Sequence, residues 1–163
     1  MEGSIKQDLK LLMEFSNISD EELKIIAQKT IHDYEKSKKI EKIILEIIYD
    51  LGYSKKLPVN HDLDNRYKKI TRLVELKGLK MPKNLDIHIT KEDIINELYE
   101  MSNRETKWIE EHSYLYDGYY DGLEANYTSY ELKKGSLEAI NEVSNFYQKI
   151  ILEITPKTKV KSR

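Results

Sequence analysis

Apolar residues recur every three or four positions along most of this chain, the spacing of amphipathic α-helices. The first half carries four such stripes, each of which places its apolar side chains on one helical face. Their ranges are 5–12, 23–34, 40–51 and 63–74. The first stripe predicts a core face made of Ile5, Leu9 and Leu12. Because lysine-rich residues separate the second and third stripes, the pattern leaves open whether residues 19–51 form one helix or two.

The second half of the chain contains the longest helical pattern. It starts at Thr90 and stays in phase through Leu98 and Trp108, which predicts one long helix near residues 90–130. Because Trp108 is in phase with Leu98, we expect it to be mostly buried. A shorter helical pattern follows at residues 139–154.

Helix ends are marked by local signals. Ser19 is followed three residues later by Glu22, which is the spacing of a capping box, and Thr90 with Asp93 marks the start of the long helix. Gly52 directly follows an apolar stripe, as glycine does when it ends a helix in the left-handed conformation. The patterns and their ends together predict five or six helices.

These elements predict an all-α, single-domain, elongated helical bundle over residues 1–155, followed by a basic disordered tail at 156–163. A chain of 163 residues suits one domain. With 39% hydrophobic and 34% charged residues, it suits thin helices around a narrow core. Residues 85–89 alternate apolar and polar, but one strand cannot build a sheet, so we expect a loop there.

Composition narrows the chemistry further. Without cysteine there is no disulfide, thiolate nucleophile or thiolate metal site. The first residues contain acids and no long apolar run, so we expect no signal peptide or membrane anchor and a cytoplasmic location. Frequent isoleucine, lysine and tyrosine, all with AT-rich codons, indicate a low-GC bacterium or one of its phages or mobile elements.

Four polar positions follow the order H…HD…D. They are His32, the doublet His61-Asp62, and Asp117 or Asp121. The order resembles that of the all-helical HD-domain metal phosphohydrolases, which implies a divalent metal that activates water on a phosphate. In that family the doublet ends an apolar helix and precedes a glycine, whereas here it lies in a predicted proline-bearing loop. We therefore favour a loop histidine beside a helix-capping aspartate, with no metal.

A second pair, Arg104 and His112, is similar to the arginine–histidine pair of HEPN ribonucleases. Eight residues on a helix rotate the second side chain by about 80°, so the two would not project together. We favour an ion pair of Arg104 with Glu97 or Glu100 instead. No P-loop, G-x-G-x-x-G, G-x-S-x-G or H-E-x-x-H motif occurs. We therefore predict no catalytic residue and no cofactor.

Charge is distributed unevenly along the chain. Residues 36–83 hold thirteen lysines and arginines against six acids, whereas residues 91–131 hold three against eleven. The basic segment is a candidate for phosphate contacts with nucleic acid. Its candidate residues are Lys55, Lys56, Arg66, Lys68, Lys69 and Arg72. The loop near residues 53–62 is too long for a helix-turn-helix.

Six tyrosines crowd into residues 114–130 among several acids. One helix has one inward face, so some of them must be exposed or buried in an interface, where tyrosine is favoured. The candidate interface residues are Tyr116, Tyr120, Tyr127, Asp117, Asp121 and Glu124.

Three functions follow in order of preference. The first is a non-enzymatic regulator or inhibitor that binds another protein, one with a basic surface, through the acidic tyrosine-rich segment. The second is a nucleic-acid-binding accessory protein, and the third is an HD-like phosphohydrolase. A homo-oligomer is compatible with the sequence, and we expect no membrane partner.

Overall fold

The computed structural model describes residues 2–83, 85–116 and 135–155, and all regular structure in that part is helical. The elements are α1 (Glu2–Glu14), α2 (Asp20–Asp50), α3 (His61–Leu76), α4 (Lys91–Glu111), a 3₁₀ turn (Ser113–Leu115) and α5 (Ser136–Ile154). The all-α prediction is confirmed. None of these helices has an apolar stretch of the length that a bilayer crossing requires.

The chain divides into two compact units, and α2 contributes to both. The first unit comprises Met1–Lys42 and Val59–Ile89, and the second comprises Ile43–Pro58 and Thr90–Arg163. The first unit has a core of buried residues from α1, α2 and α3: Leu11, Leu23, Ala27, Ile31, Ile70, Leu73 and Val74. The single elongated domain stays a prediction, and the predicted tail at 156–163 lies outside the described residues.

Side-chain caps determine where the helices begin. At α2 the Ser19 hydroxyl accepts from the Glu22 amide at 3.1 Å, and the Glu22 carboxylate accepts from the Ser19 amide at 2.9 Å. Thr90 and Asp93 form the same reciprocal pair at α4. The predicted capping box at Ser19 and the predicted helix start at Thr90 are both confirmed. Each supplies acceptors for two amides that the helix itself cannot satisfy.

Residues 19–51 contain one continuous helix, not two. α2 runs for 31 residues, so the lysine-rich stretch lies inside it. Each of its two apolar stripes is buried at every fourth position, as at Ile40, Ile44 and Ile48. Isoleucine is only a moderate helix former, so this burial stabilises the helical state. Gly52, at φ 90°, ends the helical run where the sequence predicts.

The apolar face of α1 differs from the prediction. Leu11 is buried and the predicted Leu12 packs against the core, whereas Ile5 and Leu9 are 61% and 56% exposed. A bidentate ion pair explains the rotation: Arg72 of α3 donates to both carboxylate oxygens of Asp8, at 3.0 and 2.7 Å. Asp8 and Leu11 are three residues apart and share a face, so the pair turns Leu11 towards the core. The same contact lowers the pKa of Asp8.

The buried face of α4 also departs from the prediction. Trp108 is 48% exposed, and Ile109 is buried in its place. On a helix, the side chain three residues after Glu105 is rotated from it by about −60° about the helix axis, and the side chain four residues after it by about +40°. The buried stripe advances by four, to Ile109, and leaves Trp108 at its edge. The helix ends at Glu111, short of the predicted residue 130, and the predictions for residues 117–134 lie outside the described residues.

Adjacent residues of α4 provide a direct check of this rotation. Leu98 is fully buried, whereas Tyr99 is 47% exposed. We expect Leu98→Ala to lower the free energy of unfolding by about 2–5 kcal/mol, because it removes buried methyl groups and leaves a cavity. Tyr99→Ala should change it by less than about 1 kcal/mol. Equal losses in urea unfolding would show that the face is assigned wrongly.

Candidate functional site

The second unit is built on the packing of α4 against α5. Its buried residues come from the end of α2, from α4 and from α5. They are Ile44, Ile48, Leu98, Met101, Ile109, Ala139, Tyr147, Ile150 and Ile151. Tyr147 is the largest of the fully buried side chains and is only 1% exposed. A buried phenol needs a hydrogen-bond partner, and this requirement shapes the surroundings of α4.

That partner is Glu105. The Tyr147 hydroxyl donates to one carboxylate oxygen of Glu105, and Lys55 donates to the other at 2.9 Å. The Lys55 ammonium also lies over the rings of Phe146 and Tyr147, at 5.4 and 5.6 Å from their centroids. Burial and the hydrogen bond to Glu105 raise the pKa of Tyr147 well above its ordinary value. We call Lys55, Glu105 and Tyr147 the polar network.

Arg104 has a different partner, seven residues earlier on α4. Its guanidinium donates to Glu97 at 2.9 Å, which confirms one of the two predicted ion pairs. His112 lies about 12 Å further along the helix axis and stacks on Trp108. The structure therefore does not bring Arg104 and His112 together, and the ribonuclease-like pair does not form.

The end of α4 carries an exposed aromatic surface. Trp108 and His112 stack with ring centroids 3.9 Å apart and an angle of 12°. His112 also donates from Nδ1 to the Trp108 carbonyl oxygen at 2.8 Å, which orients the imidazole. Tyr114 and Leu115 follow in the 3₁₀ turn and are 51% and 46% exposed. We call these four residues the aromatic end of α4.

Of the six predicted interface residues, the structure describes only the first, Tyr116. Tyr116 is half-buried and directly follows the aromatic end of α4. The other five lie outside the described residues: Asp117, Tyr120, Asp121, Glu124 and Tyr127. Sequence reasoning missed Trp108 because it assigned this residue to the inward face. The rotation by about −60° from Glu105 is the signal that could have found Trp108.

The predicted nucleic-acid residues do not form one basic surface within a unit. Lys55 and Lys56 belong to the second unit, and the other four belong to the first. Lys55 contacts Glu105, and Lys69 contacts Glu14 at 3.3 Å. Arg72 contacts Asp8 and Glu75. Half of the set therefore has carboxylate partners. The exposed remainder is Lys56, Arg66 and Lys68.

The predicted metal-binding residues that the structure describes do not form a metal site either. Within the described ranges, no three side chains of the His, Cys, Asp or Glu types are placed to hold a metal ion, so His32, His61 and Asp62 form no such group. Asp117 and Asp121 lie outside those ranges. The doublet is not in a loop: Asn60 caps α3 by accepting from the Leu63 amide at 3.2 Å, so the helix begins at His61.

Comparisons of this chain with protein-family models, with curated proteins and with solved structures find no match.

The polar network makes the free energy of unfolding decrease at alkaline pH. Because the pKa of Tyr147 is raised in the folded state, the unfolded chain loses this proton first. Stability is then present below the unfolded pKa of about 10 and is lost as the pH rises above it. Tyr147→Phe should be less stable at neutral pH by about 1–3 kcal/mol. Its stability should also fall less between pH 9 and 11, by urea unfolding at each pH. Parallel curves would contradict a buried, protonated Tyr147.

The matched control for that experiment is Tyr53→Phe. The Tyr53 hydroxyl accepts from Lys149 at an exposed position, at 2.8 Å. Removing it should change neither the neutral-pH stability nor the alkaline slope noticeably.

The paired basic residues predict weak binding to nucleic acid. Phosphate contacts need lysine and arginine side chains that can leave their own partners. We expect no submicromolar complex with DNA or RNA at physiological salt, measured by fluorescence anisotropy with 20-nucleotide probes. A tight complex weakened by Arg66→Ala or Lys68→Ala would place the nucleic-acid function first.

Proposed function

We propose that this chain is a non-catalytic helical regulator that binds a protein with a basic surface. Binding would use the aromatic end of α4 and the acidic, tyrosine-rich segment that continues from it. The observation that carries the proposal is the exposure of Trp108, 48% in a chain that has one tryptophan. A large aromatic side chain at a helix end, with exposed Tyr114 and Leu115 beside it, is typical of the centre of a protein interface.

The stacked arrangement favours binding in a second way. His112 covers one face of the Trp108 ring and is itself oriented by its bond to the backbone. An aromatic ring already held in one position loses less side-chain entropy when a partner covers it. The exposed part of the indole is then available for apolar or cation–π contact, for which tryptophan is the best of the aromatic residues.

Charge indicates the chemistry of the partner. Residues 108–132 contain six acids and no lysine or arginine. Two of these acids, Glu110 and Glu111, are exposed at the end of α4, and Glu111 is one turn from Trp108. A surface of one sign attracts partners of the opposite sign and accelerates association. We therefore expect a partner rich in exposed arginine and lysine.

Two substitutions on the same helix test the proposal. Trp108→Ala should weaken partner binding at least about 10-fold, because truncating a central aromatic residue of an interface commonly costs 2 kcal/mol or more. Tyr99→Ala, equally exposed on α4 but distant from its end, should leave binding unchanged. The partner would be captured from the source cells with the wild-type chain, purified, and titrated by calorimetry against both variants, whose melting temperatures serve as the folding control.

A charge pair tests the predicted chemistry. Glu111→Lys should slow association and reduce its salt dependence, whereas Glu100→Lys, near Tyr99, should not. Loss of binding in both alanine variants, or in neither, would contradict a surface confined to the end of α4. An acidic partner would contradict the charge argument.

A further inference from the structure

Residues 85–89 form an irregular segment of the first unit whose exposure alternates as it would along a β-strand. They contain no helix, turn or bend, and their exposure alternates. Leu85, Ile87 and Ile89 are half-buried, whereas Asp86 and His88 are exposed. The carboxylate of Asp86 and the imidazole of His88 lie on the same side and pair at 3.2 Å, as side chains two apart on a strand can.

The backbone of this segment has no backbone partner within the described ranges. No backbone–backbone hydrogen bond among those residues involves an amide or carbonyl of residues 85–89. A strand in that state presents donors and acceptors on both edges, and these pair readily with another extended chain. The expectation of a loop rested on the lack of a second strand in this chain. A second strand can instead come from another molecule.

The sequence of the segment is complementary to itself. In an antiparallel pair centred on Ile87, Asp86 lies opposite His88 of the second copy, and His88 lies opposite its Asp86. Leu85 lies opposite Ile89 of the second copy, on the half-buried face. An imidazole can donate a hydrogen bond to a carboxylate, and apolar and hydrogen-bonded pairs across strands are contacts that stabilise an antiparallel ribbon. We propose that two copies of this chain associate through antiparallel pairing of residues 85–89 about a twofold axis.

A groove beside the segment gives the second strand an apolar surface. It encloses about 360 Å³ and is lined by Ile25, Gln28, Lys29 and His32 of α2 and by Leu85 and Asp86. Ile25 is 69% exposed in the isolated chain, which is unusual for isoleucine on a long helix. Ile89 of the second copy, opposite Leu85, would cover part of this groove. Such an interface is self-complementary, as twofold symmetry requires.

An exchange of the two exposed residues tests the register without disturbing the core. Asp86→His and His88→Asp, made singly, each place like residues opposite one another in the dimer. Each should weaken dimerisation about 2- to 30-fold, since two symmetry-related pairs are lost. The double variant exchanges the two residues and restores both pairs, so its dimerisation should return to that of the wild type. Sedimentation equilibrium measures all four chains.

Cysteine cross-linking tests the strand direction, because the chain contains no cysteine of its own. Position 86 is opposite position 88 only in the antiparallel register. A mixture of Asp86→Cys and His88→Cys chains should therefore oxidise to the mixed disulfide dimer in several-fold excess over either symmetric dimer, which needs a diagonal span of roughly 8 Å or more. Circular dichroism confirms that each variant is folded.

The outcomes separate clearly. A wild-type chain that stays monomeric at several hundred micromolar overturns the proposal. So does a dimer whose affinity is indifferent to the single substitutions, because it forms elsewhere. Preferential symmetric cross-links would indicate parallel pairing and overturn the antiparallel register. Restoration by the double variant together with the mixed cross-link supports it.

Discussion

The hydrogen bond from Tyr147 to Glu105 is the contact on which the arrangement of the second unit depends. It joins α5 to α4 at a fully buried phenol, and Lys55 adds the segment that follows α2. Glu105 must point inward to meet this hydroxyl, so the rotation of α4 about its axis is constrained. Ile109 then enters the core four residues later, and Trp108 is left at the edge. The exposed aromatic end of α4 is a geometric consequence of a buried polar contact.

The energetics of the polar network explain why this rotation is stable. A buried carboxylate without partners costs several kcal/mol, but Glu105 has one donor on each oxygen. Lys55 in turn gains contact with two aromatic rings. A rotation of α4 that buried Trp108 would move Glu105 away from both donors. The free energy gained by burying the Trp108 indole would then be offset by the loss of the hydrogen bonds to Glu105.

Local signals in the sequence were sufficient for the helices and their ends. Ser19 and Thr90 define helix starts through contacts within four residues, and Gly52 ends α2 through its own backbone conformation. Rotation about the helix axis depends on distant partners instead. Arg72 turns α1 so that Leu11 is buried, and Tyr147 turns α4. Periodicity cannot reveal either contact, since the partners are more than forty residues away in sequence.

The candidate site was predictable only in part for the same reason. Density of tyrosines and acids drew attention to the segment after residue 110, and Tyr114 is exposed there. Trp108 was assigned to the core because its spacing from Leu98 is close to three helical turns. Ten residues fall about 80° short of three full turns, which moves Trp108 to the edge of the buried face. The alternation at residues 85–89 was visible in the sequence. The proposed pairing with a second copy also required the structure, because it shows that no backbone group within the described parts of the chain pairs with this segment.

The exposure of Trp108 can be tested directly by fluorescence, because this residue is the chain's one tryptophan. The native protein should show emission close to that of a partly hydrated indole and appreciable quenching by acrylamide. Adding the partner should shift the emission to shorter wavelength and protect it from quenching. Blue-shifted emission that acrylamide does not quench in the free native protein would contradict the account, because Trp108 would then belong to the core.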